Sequence, residues 1–356
     1  MAFGERLRAA RAMAGLSQEG LSSRMGGKVT KQAISKYEKG LMMPDSSTTL
    51  IALSKALAVP VDYFYRTVAR EPLELNYRKR RSVGARVENS LLETVRDRLE
   101  RYQELETLLG IHPSFEVPSG RIDLTTFDGA RAAARALRES WGVGPQQPVP
   151  SVTQLCEDKG LRLIGLRQIP GFDGMAGHYG GDPFVAIAED RPSDRIRFTL
   201  LHEVAHLLAW PKEHNEKICQ VFASEFLLPE DALQRELSER VRHSLAVPEL
   251  LQLKAKFGIS MQAILYRAHQ AGVLTDAGYA AILREFGARG WRKAEPGYTL
   301  GLEEPQRFER LLFRAIAEDV ISMSKAASLS LVPLEELRRR LSGIDAPRDE
   351  RCKRPG

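Results

Sequence analysis

His202, Glu203 and His206 form a His-Glu-x-x-His cluster. A separation of four residues puts both imidazoles on one face of an α-helix, within reach of a single ion. Neutral imidazole suits zinc, and a zinc ion that keeps one open position lowers the pKa of its bound water to about 7. Glu203, on the flank of that face, can take the water's proton and pass it to a leaving amine. This is the chemistry of a zinc-dependent peptidase helix. Two ligands do not complete a site, and the candidates for a third lie just downstream: Glu213, His214 and Glu216.

These residues need a rigid support. Phe198, Leu201, Ala205 and Leu208 recur at helical spacing, giving the motif helix an apolar face that fixes the histidine rotamers. Trp210-Pro211 ends this helix, and 215–229 reads as a second one with Asn215 as N-cap. An acid in the first turn of a helix is favoured by the helix dipole, so Glu216 has a structural reading beside the ligand reading. Cys219 falls on the buried side of the second helix and reads as core.

The run Arg197-Phe198-Thr199-Leu200-Leu201-His202-Glu203-Val204-Ala205-His206, followed by Glu216-Lys217-Ile218-Cys219-Gln220-Val221-Phe222-Ala223-Ser224-Glu225-Phe226-Leu227-Leu228-Pro229, resembles the ImmA/IrrE family of zinc metallopeptidases. The departures are Gln220 for the usual Asn and Leu228 for the usual Met. The resemblance implies that Glu216 is the third ligand of a Zn2+ ion held by His202 and His206, with Glu203 catalytic. Mn2+ or Fe2+ suits the same ligands.

The chain has 356 residues, 43% hydrophobic and 28% charged, a composition for two or three globular domains. No apolar run approaches the roughly 20 residues of a membrane span, and Glu5, Arg6 and Arg8 stand where a signal peptide would be apolar. Three widely spaced cysteines, Cys156, Cys219 and Cys352, point to a reducing, cytoplasmic setting. The net charge of +6 is uneven: residues 1–66 carry 10 Lys/Arg against 5 Asp/Glu, whereas residues 111–356 carry 33 of each. A basic module on a neutral body suggests a polyanion partner, most often nucleic acid.

That module reads as helices over 3–14, 18–25, 31–39, 46–57 and 61–66, with Ser17 and Thr30 as caps and Gly15 and Gly40 as stops. Leu16-Ser17-Gln18-Glu19, Gln32-Ala33-Ile34-Ser35-Lys36-Tyr37-Glu38-Lys39-Gly40 and Pro44 followed by Leu50-Ile51-Ala52-Leu53-Ser54-Lys55-Ala56-Leu57 resemble the helix-turn-helix of the Cro/repressor (XRE) family. One departure is a slightly longer turn over 25–30. The resemblance implies a third helix in the major groove, nominating Lys31, Gln32, Ser35 and Lys36 as DNA-binding residues. Gln32 has the donor and acceptor that read adenine, Lys36 suits a phosphate, and Gln18 is a typical phosphate contact. One such helix reads few base pairs, so a homodimer on a two-fold double-stranded DNA operator is expected.

The expected division is 1–66 helix-turn-helix; 67–122 basic linker and connecting helix; 123–275 zincin-like metallopeptidase; 276–344 helical C-terminal region; 345–356 disordered tail. In the linker, Arg78-Lys79-Arg80-Arg81 precedes Val87, Leu91, Leu92, Val95, Leu99, Tyr102, Leu105 and Leu108 at helical spacing. The body begins with helices over 128–141 and 151–158, then three short strands at 161–166, 175–179 and 184–188. An edge strand beside the metal would pair with a substrate backbone, and 184–188 is the candidate. His178 is a candidate for the substrate cleft, and the resemblance of 259–267 to a segment of the ImmA/IrrE family implies that Tyr266 and Arg267 approach the active site, where either polarises the scissile carbonyl or instead packs or makes an ion pair. Residues 321–341 resemble a second, degenerate helix-turn-helix, assigned to packing or oligomerisation.

The fold class is therefore mainly α with a small β-sheet (α+β). The expected function is a cytoplasmic, DNA-binding transcription regulator whose zinc endopeptidase cleaves a partner repressor, or its own linker, in a stress response. The alternative is a non-cleaving repressor or antitoxin whose zinc domain senses or binds. Glu203 argues against it, since a purely structural zinc site needs no base.

Overall fold

The computed structural model describes residues 3–66, 71–75, 84–112, 114–118, 122–209, 215–238, 240–297 and 303–342. The basic run 78–81, the rival ligands Glu213 and His214, Cys352 and the tail from 345 lie outside them. The chain forms two compact units, neither continuous in sequence: one of residues 1–71, 83–112 and 306–356, the other of 72–82 and 113–305. Among the described residues the first is all helical and the second adds a small mixed sheet, which is the α+β class read from the sequence. No described helix is long and apolar enough to cross a membrane.

The first unit opens with α1 (Phe3–Met13), α2 (Gln18–Arg24), α3 (Lys31–Glu38), α4 (Ser47–Leu57) and a 3-10 turn, Val61–Tyr65. The starts of α2, α3 and α4 are fixed by side-chain caps: Ser17 accepts from the Gly20 N–H, Thr30 from Ala33 and Ser46 from Thr49. Gly26 and Gly27, at φ 68° and 73°, turn the chain between α2 and α3 where a side chain would be strained. Leu7, Leu21, Ile34, Tyr37, Leu53 and Phe64 close the core. The connecting helix, α5 (Ala85–Leu108), buries Leu91, Val95, Leu99, Tyr102 and Leu105 of the expected stripe, whereas Val87 and Leu108 at its two ends are exposed.

Three C-terminal helices, α14 (Arg307–Ala317), α15 (Met323–Ser330) and α16 (Leu334–Leu341), complete this unit. Arg101 on α5 donates to the Leu329 carbonyl at 2.7 Å, Lys325 pairs with Glu104, and Arg307 pairs with Glu106. The stretch 321–341 therefore packs on α5 of its own chain. Arg6 of α1 and Glu100 of α5 form a fully buried ion pair.

The second unit holds β1 (Leu73–Leu75), α6 (Phe127–Ser140), α7 (Val152–Asp158), β2 (Arg162–Leu166), β3 (Gly174–Tyr179), β4 (Asp182–Ala188), α8 (Ser193–Ala209), α9 (Glu216–Leu227), α10 (Glu230–Leu237), α11 (Val247–Phe257), α12 (Met261–Gln270) and α13 (Asp276–Ala288). Strand order is β1-β3-β4-β2, with β2 and β4 parallel and the other pairs antiparallel. Gly180 and Gly181, both at positive φ, form the two-residue turn that closes the β3–β4 hairpin.

Two expectations are corrected here. The strand 184–188 is not an edge: β4 is hydrogen-bonded to β3 on one side and β2 on the other, so its backbone offers no free ladder to a substrate. The fourth strand comes from the stretch read as linker, where Leu73, Glu74 and Leu75 pair with Tyr179, His178 and Gly177. Gly177 permits this approach, because a Cβ there would lie 2.2 Å from the Glu74 carbonyl oxygen.

Candidate metal centre and nucleic-acid face

Helix α8 runs through the middle of its unit, packed on β3, β4, α7 and α9, so Leu200, Leu201, Val204 and Ala205 are all buried. Its rotation is set by Arg197, which donates to Glu303 and to the Val149 carbonyl at 2.6 Å. Helix α9 starts at Asn215, whose Oδ1 accepts from the Lys217 N–H at 3.0 Å, and this puts Glu216 in the first helical position. The two helices bring three ligating atoms together. His202 Nε2 is 3.0 Å from Glu216 Oε2, the two Nε2 atoms are 3.2 Å apart, and His206 Nε2 is 3.9 Å from Glu216 Oε1.

All three ligating atoms lie within 4.8 Å of one another. Two imidazole nitrogens and a carboxylate oxygen are a donor set that suits zinc. Their convergence on one point is the fit that a single cation requires, because lone pairs this close repel unless a proton or a cation lies between them. The histidines are nearly buried, whereas the Glu216 side chain is 66% exposed, so the site opens on the α9 side. Cys219 Sγ sits 3.8 Å from His206 Nδ1, on the far side of the ring from the converging atoms.

Glu203 is 6% exposed and faces β3. A Cβ on Gly174 would meet the Thr199 methyl at 2.6 Å and Glu203 Oε1 at 3.3 Å, so the glycine makes room for both side chains. Burial, then the charges of Glu216 and Glu203, push the Cys219 thiol up to about 12. The thiol is thus neutral at physiological pH, in keeping with its reading as core. Gly174→Val is expected to cost about 1–3 kcal/mol of stability by overpacking. An unchanged urea midpoint would show that α8 has slack against β3.

The cleft candidates separate. Arg267 is corrected: it is buried, pairs with Glu225 on α9 and donates to the Leu228 carbonyl at 3.0 Å. A guanidinium so committed holds α12 to α9 and does not reach a substrate. Tyr266, beside it, is exposed. His178 is half-buried on β3; burial lowers its pKa, and the opposing charges are Glu74 and Asp182, not the metal triad. Sequence reasoning missed Glu303 and Glu225, because each is one acid among many until its buried arginine is known.

In the first unit, Lys31, Gln32 and Lys36 are exposed on α3 and Ser35 is half-buried. Gln18 donates from Nε2 to Glu38 Oε2 at 2.8 Å, and the same buried carboxylate holds Arg11, so the Gln18 amide is fixed in place. Residues 7–64 match the family model described as helix-turn-helix. Residues 156–269 match the model of the IrrE N-terminal-like domain, in a peptidase family. The chain joins a helix-turn-helix to an IrrE N-terminal-like domain. The IrrE-like match contains α8 and α9, and thus all three converging ligands.

Across 67 residues the chain is 43% identical to an uncharacterized transcriptional regulator in the ATPase CF(0) region of Rhodospirillum rubrum. That match takes in 19% of this chain and 59% of the relative, so the chain spans about three-fifths of the length of the curated relative it matches. No solved structure matches the chain.

Proposed function

We propose that this protein is a DNA-binding transcription regulator whose IrrE-like domain is a zinc-dependent endopeptidase acting on a partner protein, with a transcriptional repressor as the substrate. The observation that carries the reading is the convergence of His202, His206 and Glu216 within 4.8 Å, next to a buried Glu203. His202, His206 and Glu216 would hold the metal. A bound zinc would polarise the scissile carbonyl and bring the pKa of water to about 7.

The chain's own residues do the rest. Glu203 takes the proton of the attacking water and returns it to the departing amine nitrogen. Burial against Gly174 keeps that carboxylate in one orientation, so no reorganisation is needed as the proton moves. At the other end, Lys31, Gln32, Ser35 and Lys36 face the major groove, with Gln18 held toward the backbone. Two copies on a two-fold operator supply the specificity that one recognition helix lacks. A regulator that docks on DNA meets other DNA-bound proteins, which favours a repressor over bulk peptide.

Glu203→Gln tests the enzymatic half. With zinc supplied and candidate repressors as substrates, the wild type is expected to cut one of them, followed by intact-mass analysis. The variant is expected to lose roughly 10²–10⁴ in rate while keeping its metal and its DNA affinity. Equal cutting by both proteins removes Glu203 from the mechanism, and no cutting by either removes the peptidase reading.

A further inference from the structure

A cavity of about 290 Å³ opens in the first unit where α1, the α1–α2 turn and the first turn of α5 meet. Its walls carry Arg8, Arg11, Ser17, Arg86 and Asn89, and no acidic side chain lines it among the described residues. The three arginines are not equivalent. Arg11 is neutralised, giving Nε and Nη2 to Glu38 and Nη1 to the Leu16 carbonyl at 2.8 Å. Arg8 has a 3.3 Å bond to the Glu38 carbonyl, a neutral acceptor, so it keeps its full charge.

Arg86 is exposed and, among the described residues, neither it nor the Asn89 side chain has a hydrogen-bond or ion-pair partner. Arg86 stands in the first turn and Asn89 at the start of the second turn of a 24-residue helix whose N-cap, Gly84, supplies no side-chain cap, so the helix's positive end adds to the field. Ser90, next along, donates to the Met13 carbonyl at 2.7 Å and fixes this end of α5 against the end of α1. Two uncompensated guanidiniums and an amide around a cavity of this size are a receptor for a phosphate group. Ser17, on its rim, begins the helix that in a helix-turn-helix lies across the sugar–phosphate backbone.

We propose that Arg86 and Asn89 of α5, with Arg8 of α1, clamp a backbone phosphate of the DNA duplex. The DNA-binding face then extends past the helix-turn-helix match at 7–64 to residues that lie outside it. This rests on the DNA-binding reading above. The contact carries no sequence information: it adds affinity and fixes the angle of the module on the duplex.

The test uses the full chain and a short mixed-sequence duplex, with affinity measured between about 50 and 200 mM salt. Against the wild type, Arg86→Ala with Asn89→Ala is expected to weaken binding about tenfold at the low-salt end. The slope of log K against log salt is expected to become shallower by about 1, the loss of one phosphate contact. Arg8→Ala is expected to behave in the same direction. Arg284→Ala, which removes an exposed arginine from α13 in the other unit, is expected to leave the slope unchanged.

An unchanged slope in the double variant, with the wild type binding the duplex, overturns the clamp and leaves the DNA-binding reading standing. A wild type that does not bind the duplex overturns both. Inorganic phosphate and pyrophosphate, titrated without DNA, distinguish the other source of the same chemistry. If they bind the wild type and not the double variant while the duplex slope is unchanged, the cavity is a small-anion site and the proposal is wrong.

Discussion

Replacing Glu303 with Ala is expected to destabilise the second unit by about 3–5 kcal/mol, the cost of breaking a buried ion pair from one side. The Glu303 carboxylate is 2% exposed, and it accepts from the Val152 and Thr153 N–H groups at 3.1 and 2.8 Å, from the Ser151 and Thr153 hydroxyls, and from Arg197. It therefore satisfies the start of α7 and Arg197, the fully buried arginine that anchors α8. Without it, Arg197 is left fully buried with only carbonyl partners; burial already lowers its pKa against the pull of Glu303. Glu303→Gln keeps an acceptor in place and is expected to cost less. Replacing both partners with apolar residues of similar volume is expected to recover part of the loss. A fall in the urea midpoint with an unchanged m-value is the signature, and a midpoint equal to wild type would remove the pair from any structural role. Because Arg197 lies five residues before His202, weaker zinc binding is expected alongside.

The second large effect is metal linkage. Zinc bound to the folded chain alone is expected to stabilise it by about 4 kcal/mol at a free concentration a thousand times its Kd. The melting temperature of the wild type should rise with added zinc and fall back with a chelator. His206→Ala should melt at one temperature under both conditions. Glu216→Ala, which removes the exposed third ligand, should need more zinc for the same shift, and His214→Ala should match the wild type. A zinc response of normal size in His206→Ala would show that the metal sits elsewhere.

Much of this architecture is legible in the sequence because it is written locally. Ser17, Thr30 and Asn215 precede apolar stripes of helical period, and each caps the helix expected of it. Gly180-Gly181 between two apolar runs marks the hairpin. The spacing of His202 and His206 forces their convergence on any regular helix. What is illegible depends on partners distant in the chain. The strand Leu73–Leu75 exists because β3 has an edge about a hundred residues later and a glycine that lets another backbone approach. The interior position of β4 follows from the parallel crossover from β2, and sheet order is not encoded in strand order. Arg267 carries the same residue type whether it faces a cleft or Glu225, and only the packing of α12 on its neighbours decides.

The interleaving of the two units bears on what a cut would do. The backbone crosses between them at 71/72, 82/83, 112/113 and 305/306. A break within 72–82 frees no fragment by itself. Residues 1–71 remain tied to α5 by the buried Arg6–Glu100 pair, by Arg66 on Glu104 at 2.8 Å and by Ser90 on the Met13 carbonyl. A nicked molecule would run as two bands once denatured and as one particle in native buffer, still holding its duplex. Separating residues 1–71 from the rest would therefore take unpacking as well as hydrolysis, so a nick in 72–82 alone would be a poor off-switch for DNA binding.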